Sequence, residues 1–518
     1  MRLLFFILAF SLSSAQTPQL DMSRGAYLIS QRPFEYEAWV FALRFDDVTN
    51  TTSKVHFDLE TYKSSNYTSF LAPVIPSSEF PAGTYGIPFS KLVEDDGNGN
   101  YPLGTLETTN FNNIVKVQFE DDNVNPLNPT IVAEAKTWFD AKRLDSDYDD
   151  IILSIDPAFA GFGIDTEVFK MINDIQPDLI MFNDYPWKYS TTLHFRQTEY
   201  GFYARLIYWN RYAQLGLNQT SEKPIPFGAF TQSTYQGLIK KMPLSYMKYN
   251  NFLSLAFGAK YLASFLYNSA KIWGTGAQPS EPGLPVIISG QESILFDVEF
   301  PFAKATEFKI QNEIIRQCKN LGNALKFLNP TGQRLIRATN IEAPVQSAGF
   351  AGGVYEWNYG TRPDVLLTDI TVTRPNVATT QDVWVGYFNP LHSTFDSSGT
   401  TDEDYFMIVN GCWDNNAVTN IQNIRLNFDF GGDDTINSLL KLNRNTGQVL
   451  VVPLTNITGN TYYLDLILDG GEGDLFKYNN GVGFVNDIQI QQPLSSAVNN
   501  TKIGTGSGVS YIGNSKAN

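Results

Sequence analysis

Acidic, amide and aromatic side chains recur directly after short apolar segments in the middle of this sequence. These residues are Glu120, Asp122, Asp184, Tyr185, Trp187, Gln232, Tyr267 and Asn268. Paired carboxylates can protonate a glycosidic oxygen and either attack the sugar or activate water, which is the chemistry of glycoside hydrolysis. Aromatic rings can stack on the apolar face of a pyranose, and amides can bind its hydroxyl groups. The combination therefore indicates a carbohydrate site.

Each candidate has a predicted role in such a site. Asp184 and either Glu120 or Asp122 would form the acidic pair. The sugar platform would consist of Tyr185, Trp187 and Tyr267. The amides that bind hydroxyl groups would be Gln232 and Asn268. A plainer interpretation stays open for the acids, because Asp184 could cap the following helix and residues 120–122 could form a solvated loop.

The apolar segments before these residues alternate with amphipathic helices. Strands are predicted at Ile114–Phe119, Ile151–Ile155, Asp178–Phe182, Ile225–Phe230 and Tyr261–Tyr267. Asn128 and Asp165 are expected to cap two of the intervening helices, the first with Pro129 at its first position. Alternation at this spacing predicts parallel βαβ units. No glycine-rich phosphate turn follows a strand, so a closed (β/α) barrel is favoured over a doubly wound sheet.

The predicted barrel covers residues 113–341, and the candidate residues follow its strands, at the end where such barrels carry active sites. Residues 16–112 show few clear helices, so this segment is expected to be part of the barrel, with atypical units, or appended to it. From Glu342 the pattern changes to alternation with period two. Eight short strands separated by turn residues predict an antiparallel β-sandwich over 342–490. The polar residues 491–518 are predicted to be a disordered tail.

Several segments resemble one group of secreted proteins in order and spacing. The segments are Asp178–Trp187, Pro224–Ser233, Phe252–Tyr267, Asn312–Gly322, Phe406–Asn410, Arg444–Gly447 and Gly471–Phe476. Together they are similar to secreted TIM-barrel proteins related to the clan A β-galactosidase-type glycoside hydrolases, over about Val115–Tyr478. The resemblance implies a (β/α) barrel with a C-terminal β-sandwich and a carbohydrate substrate.

The chain departs from this group at the acid/base position. The resemblance implies an Asp-Glu-Pro after an early barrel strand, with the glutamate as acid/base, but this sequence reads Glu120–Asn123 there. The residue closest to that glutamate is Asp122, or Glu120 if the register shifts. A displacement of about 1 Å can cost roughly a hundredfold in rate. No second glutamate is evident after a late strand, so an inactive protein is the alternative to a hydrolase.

The N-terminus indicates secretion. Arg2 precedes the apolar run Leu3–Phe10, and small residues stand before Gln16, which predicts a signal peptide over 1–15. Five N-glycosylation sequons follow, at Asn50, Asn66, Asn218, Asn456 and Asn499. No later segment is apolar enough to span a membrane. The net charge of −16 argues against nucleic acid and anionic membranes as partners.

Other chemistries find little support in the sequence. The three histidines are far apart, and no Gly-x-Ser-x-Gly follows a barrel strand. No metal or cofactor is therefore predicted. Cys318 and Cys412 could form one disulfide or remain two buried thiols. The sequence thus predicts a secreted glycoside hydrolase-like protein that acts on an extracellular carbohydrate. The alternative is a catalytically inactive carbohydrate-binding or structural glycoprotein of a cell surface or matrix.

Overall fold

The computed structural model of this chain contains a closed eight-stranded parallel barrel and two packed β-sheets. The predicted (β/α) barrel followed by an antiparallel β-sandwich is therefore confirmed. The residues that the structure describes are 22–40, 59–72, 87–103, 111–121, 123–157, 164–183, 195–235, 242–267, 292–293, 305–336, 354–356, 366–375, 382–412, 420–431 and 436–485.

The barrel strands follow one another around the barrel in chain order, and the last pairs with the first. They are β1 Glu35–Trp39, β2 Ser69–Ala72, β3 Phe89–Val93, β4 Ile114–Phe119, β5 Ile152–Ile155, β6 Leu179–Asn183, β7 Phe227–Gln232 and β8 Tyr261–Phe265. The helices are α1 Arg24–Ser30, α2 Leu59–Lys63, α3 Pro129–Arg143, α4 Asp165–Ile175, α5 Phe195–Leu215, α6 Leu244–Ala256 and α7 Thr306–Leu325.

The first three barrel strands lie in the segment 16–112, where the sequence pattern shows no clear strand. Each has only four or five residues. Polar residues of these strands, including Glu37, Ser69 and Ser90, are buried. The usual signal of a buried parallel strand is a continuous apolar run. Charged and hydroxyl side chains inside the barrel interrupt that run, and this explains why the pattern is weak.

Helix α1 closes the N-terminal end of the barrel. Leu28 and Ile29 on this helix pack with the apolar residues of the barrel interior. Arg24 forms an ion pair with the buried carboxylate of Asp178, whose Oδ2 also accepts a hydrogen bond from Leu153 N at 2.9 Å. A Cβ atom on Gly25 would lie 1.7 Å from the carbonyl oxygen of Asp178. Glycine is therefore required for this close approach of helix and strand.

The two predicted helix caps have different outcomes. Asn128 caps α3 as expected, because its side chain accepts a hydrogen bond from Thr130 N at 3.1 Å. The expectation for Asp165 is wrong, since this residue is the first helical residue of α4. Its carboxylate instead accepts hydrogen bonds from Tyr212 Oη at 2.6 Å and Arg211 Nη1 at 2.9 Å. It therefore links α4 to α5.

The sandwich consists of a seven-stranded and a four-stranded sheet. Its strands are β9 Leu328–Ile336, β10 Val354–Glu356, β11 Leu367–Thr373, β12 Val383–Pro390, β13 Tyr405–Asn410, β14 Gln422–Asp429, β15 Ser438–Leu442, β16 Val449–Pro453, β17 Thr455–Thr458, β18 Thr461–Leu468 and β19 Gly473–Tyr478. The sheet orders are β10-β9-β12-β13-β19-β15-β16 and β11-β14-β18-β17. All neighbouring pairs are antiparallel except β9 with β10. Residues from both sheets, such as Phe406 and Phe428, form one apolar core between them.

Strand β9 is absent from the sequence prediction and begins before Glu342. It pairs with β12 through most of its length, and the register shifts between Pro330 and Gly332. Proline and glycine are both unfavourable inside a strand, so the segment does not show a clean alternation. The structure instead continues α7 almost directly into the sandwich.

The seven-stranded sheet packs its second face against the barrel helices. Trp384 on β12 lies in the same apolar core as Phe257 after α6, with ring centroids 5.5 Å apart. Lys248 on α6 forms an ion pair with Glu472 at 2.8 Å. A Cβ atom on Gly471 would lie 2.1 Å from Ser245 O. The two domains therefore share a tight interface on the side of α6 and α7.

Two further features bear on the sequence predictions. Cys318 and Cys412 are both buried free thiols, so the alternative of a disulfide between them does not apply. Burial raises the pKa of the Cys318 thiol. Among the described residues, no helix combines the length and the hydropathy that a membrane span needs.

Two buried lysines join the barrel to the start of the sandwich. Lys260 Nζ donates hydrogen bonds to the carbonyl oxygens of Leu325, at 2.6 Å, and Leu328. Lys326 Nζ donates to the carbonyl oxygen of Arg32. Burial lowers the pKa of Lys260 to about 7 and that of Lys326 to about 7. An unfolded lysine has a pKa near 10.4.

The free energy of unfolding is therefore expected to rise with pH between about 7 and 9. In this window the unfolded chain binds more protons than the folded chain, so each lysine adds about 1 kcal/mol per pH unit. Below pH 7 both states are protonated and the contribution levels off. Urea titrations at pH 7 and pH 9 measure the slope. Lys260→Met should remove about half of it, and the exposed Lys136→Met should not; a flat profile for the native chain contradicts the prediction.

Candidate active site at the mouth of the barrel

Five residues stand at or directly after the C-terminal ends of the barrel strands: Trp39, Glu120, Asp156, Asn183 and Gln232. The alternation of side chains along a strand directs Trp39, Asn183 and Gln232, which are strand residues, towards the interior. Apolar residues of the barrel interior occupy alternate positions, for example two residues before Asn183 and two before Gln232. Trp39 belongs to that interior cluster, with its ring 5.6 Å from the ring of Phe230. The mouth thus combines two carboxylates, two amides and an aromatic ring.

Glu120 follows β4 directly and is only 6% exposed. Its carboxylate accepts hydrogen bonds from Asp95 N at 3.0 Å and from Asn123 Nδ2 at 2.9 Å, so both oxygens bind the neighbouring loops. Its φ of 58° lies in the left-handed region, which is uncommon outside glycine and clusters at functional sites. Partial burial of Glu94, together with the negative charge of Glu120, raises the pKa of Glu94. Glu120 therefore anchors the loops beside the mouth.

Asp156 follows β5 and is 1% exposed. Its Oδ2 lies 3.4 Å from Nδ2 of Asn183, the last residue of β6. The carbonyl oxygen of Asn183 accepts a hydrogen bond from Arg205 Nη1 on α5 at 3.1 Å. These contacts connect the ends of two neighbouring strands. Asn183 begins the strand-end segment that the sequence points to, whereas Asp156 is not predicted, although it follows a predicted strand in the same way as Glu120 does.

Two predicted sugar-binding residues, Gln232 and Tyr267, lie in the described part of the chain, and only Gln232 is at the mouth. Gln232 lies at the end of β7 and donates from Nε2 to the carbonyl oxygen of Thr234 at 3.1 Å. Tyr267 is 1% exposed, and its ring packs edge-on against those of Tyr62 and Tyr67 at 5.7 and 5.4 Å. A sugar platform needs an accessible ring face. The structure therefore contradicts the platform role of Tyr267, which belongs to a buried tyrosine cluster.

Five candidates lie outside the described residues: Asp122, Asp184, Tyr185, Trp187 and Asn268. Their positions in the chain still relate them to the mouth. Asp184 directly follows Asn183 at the end of β6, and Asp122 lies two residues beyond Glu120. The roles of these residues stay predictions.

A buried ion pair lies in the barrel interior, one layer below the mouth. Lys116 Nζ is 2.9 Å from Glu37 Oε1, and neither side chain is exposed. Glu37 Oε2 accepts hydrogen bonds from Tyr261 Oη at 2.7 Å and from Ser90 Oγ. Burial and the Glu37 carboxylate raise the pKa of Tyr261, which keeps its hydroxyl protonated as a donor. Four strands are thus joined beneath the candidate site.

The predicted glycosylation sites differ in their surroundings. Asn218 and Asn456 are exposed. Asn66 is half-buried, and its Nδ2 donates to the carbonyl oxygen of Asn312 at 2.8 Å. Asn50 and Asn499 lie outside the described residues. Asn218 and Asn456 are therefore the better placed sequons for modification.

Comparisons with known proteins give only distant matches. No protein-family model matches the sequence, and no curated protein matches it. The chain is similar to a rhamnosidase from Novosphingobium sp. PP1Y, with 11% identity and a TM-score of 0.38 over 68% of this chain and 39% of the rhamnosidase. A double mutant of the Cellulomonas fimi endo-beta-1,4-mannanase has 10% identity and a TM-score of 0.32, over 89% of this chain and 98% of the mannanase.

A third solved structure is a Paenibacillus sp. cycloisomaltooligosaccharide glucanotransferase. It has 9% identity to this chain and a TM-score of 0.39, over 87% of this chain and 85% of that protein. The chain spans about two-fifths of the length of the rhamnosidase. All three TM-scores are below 0.5, and the barrel assignment rests on the strand order of the chain itself.

Proposed function

We propose that this chain is a secreted glycoside hydrolase-like protein that acts on an extracellular carbohydrate at the C-terminal mouth of its barrel. The observation that carries the proposal is the convergence of Glu120, Asp156 and Asn183 at the ends of three neighbouring strands. Carboxylates and amides at this end of a (β/α) barrel are the usual components of a sugar-cleaving site. The predicted signal peptide and sequons support secretion.

In this proposal Asp184 is one catalytic carboxylate, and the second comes from β4 or β5. Asp156 follows the strand next to that of Asp184, while Glu120 and Asp122 follow the strand beyond it. One carboxyl group would protonate the glycosidic oxygen, and the other would attack the sugar or activate water. Asn183 and Gln232 would bind hydroxyl groups, and Tyr185 and Trp187 would form the stacking platform.

One observation favours the alternative of an inactive carbohydrate-binding or structural glycoprotein. Both carboxylate oxygens of Glu120 are occupied by Asp95 N and Asn123 Nδ2. A general acid must instead direct a proton at the substrate. If Glu120 occupies the position of the acid/base glutamate that the sequence resemblance implies, its hydrogen bonds to the loops suit a structural residue better than a general acid.

Hydrolysis and binding can be separated by one set of experiments. The full chain, expressed with its signal peptide, is incubated with a panel of plant, fungal and algal polysaccharides, and reducing ends are measured. Affinity electrophoresis in the same polysaccharides measures binding. Cleavage supports the hydrolase; retardation without cleavage supports the inactive alternative. Neither cleavage nor retardation with any polysaccharide would contradict the proposed carbohydrate function.

Trp187→Ala is expected to weaken carbohydrate binding about tenfold, because it removes a stacking face worth roughly 1.4 kcal/mol. Tyr185→Phe, which keeps the ring, is the matched control and should bind with nearly unchanged affinity. Calorimetric titration with the best oligosaccharide of the panel measures both. Equal affinity of Trp187→Ala and the native chain would remove Trp187 from the platform.

A further inference from the structure

A cleft of about 710 Å³ lies on the rim of the barrel, outside the mouth. One wall is the loop that follows β3, with Asn100 and Tyr101, and the other is α3, with Thr130, Glu134, Thr137 and Trp138. Both elements follow the C-terminal ends of neighbouring strands, β3 and β4. The cleft is therefore adjacent to the mouth without being part of it. Pockets of this size can hold most of a small ligand.

The base of the cleft is aromatic. Tyr101 is partly exposed, and its ring packs on Phe119 with centroids 4.3 Å apart. Trp138 is 8% exposed and packs on the same phenylalanine at 5.6 Å. The indole N–H of Trp138 is buried and has no acceptor among the described residues. Tyr101, Trp138 and Phe119 therefore form the apolar base of the cleft.

The polar groups of the cleft suit hydroxyl ligands. Tyr101 Oη donates to Glu134 Oε2 at 2.8 Å, and the other oxygen of Glu134 has no hydrogen-bond partner in the described part of the chain. Burial and the Glu134 carboxylate raise the pKa of Tyr101, which therefore remains a neutral donor. Thr130 and Thr137 are exposed along the wall. Thr137 Oγ1 donates to the carbonyl oxygen of Ala133 at 2.9 Å and keeps lone pairs for a polyol hydroxyl, and the free oxygen of Glu134 can accept from another.

The negative charge of the cleft and of the whole chain favours a neutral ligand. Among the described residues that line the cleft, Glu134 is the carboxylate, and none is a lysine or an arginine. The chain as a whole carries a net charge of −16. An anionic ligand would meet repulsion from both, whereas a neutral polyol would not. Aromatic surface, one hydrogen-bonding carboxylate and hydroxyl groups are together typical of a site for neutral sugars.

We propose that this cleft is a second carbohydrate site, which binds a neutral oligosaccharide segment beside the mouth. The proposal rests on the proposed function, since both sites would bind the same polymer. Glu120 connects them, because its carboxylate accepts the N–H of Asp95 in the loop that continues into the cleft wall. A long polysaccharide bound in the cleft would be held close to the mouth, and the two sites together would raise the effective affinity.

The test blocks the cleft without touching the mouth. Thr137→Trp places a large side chain into the cleft from an exposed position of α3, and Lys136→Trp, next to it on the same helix and outside the cleft lining, is the matched control. Affinity electrophoresis of the full chain is run in hydroxyethylcellulose, galactomannan, laminarin and starch, with alginate as the anionic comparison. Glu134→Gln is a second variant that keeps the side-chain volume.

Thr137→Trp is expected to weaken binding to the preferred neutral polysaccharide at least tenfold, with Lys136→Trp unchanged and alginate not bound. Glu134→Gln should weaken binding severalfold. If the native chain binds a neutral polysaccharide and both tryptophan variants bind it equally well, the cleft proposal fails while the proposed function stands. If alginate alone binds, the neutral-sugar assignment is overturned. If no polysaccharide binds the native chain, the proposed function fails and the cleft proposal fails with it.

Discussion

Lys116→Met is expected to lower the free energy of unfolding by about 3–5 kcal/mol, because it leaves the Glu37 carboxylate buried without a counter-charge. The two groups are 2.9 Å apart and neither is exposed. Lys116 Nζ also lies 4.7 Å from the ring centroid of Tyr261, a cation–π contact that the substitution removes. Methionine preserves most of the side-chain volume, so the loss measures charge rather than packing. Urea denaturation followed by tryptophan fluorescence measures the change.

Two further variants isolate the pair. Glu37→Gln combined with Lys116→Met removes both charges and keeps an oxygen that accepts from Ser90 and Tyr261, so the double variant should be more stable than Lys116→Met alone. Lys136→Met breaks an exposed ion pair with Asp140 and should cost about 0.5 kcal/mol or less. A Lys116→Met protein as stable as the Lys136→Met protein would show that the interior pair contributes nothing to the barrel.

The fold could be predicted wherever apolar periodicity is strong. Strands β4 to β8 follow apolar runs, and most sandwich strands are short apolar or alternating segments between turn residues, so both domains are recognisable; β9 is an exception. The first three barrel strands are not, because residues such as Glu37 and Ser90 face the interior and are satisfied by partners from other strands. Such partners lie more than fifty residues away in the chain. A local pattern cannot contain that information.

The sequence predicts at which strand ends the candidate site lies, but it identifies only some of the residues in it. Glu120 and Gln232 lie at the mouth, because the C-terminal ends of all the strands of a (β/α) barrel meet at that end. Tyr267 does not, since β8 ends two residues earlier and the ring turns into a cluster built by Tyr62 and Tyr67. Asp156 is not predicted, because a single aspartate before a proline is also typical of a turn. Its place beside Asn183 follows only from the pairing of β5 with β6.

Asp184→Asn is expected to lower kcat by about two to four orders of magnitude, the range for loss of a catalytic acid or base. Asparagine keeps the volume and the hydrogen-bonding capacity, so the urea midpoint should not change. The measurement is the initial rate on the polysaccharide that the native chain cleaves fastest. Turnover within a factor of two of the native chain would exclude Asp184 as a catalytic residue, provided that the folded variant is confirmed by its unfolding curve.

The partner of Asp184 is then identified by strand spacing. Neighbouring strands are about 4.8 Å apart, so we expect a carboxylate after β5 to lie closer to one after β6 than a carboxylate after β4 does. The closer spacing suits the roughly 5–5.5 Å of retaining enzymes better. Because the oxygens of Glu120 already bind Asp95 and Asn123, we expect Asp156 to be the partner. Asp156→Asn should therefore lose activity as Asp184→Asn does, and Glu120→Gln should lose less than about tenfold. Proton NMR of the first-formed anomer should show retention; inversion, with Glu120→Gln inactive, would assign the second role to Glu120.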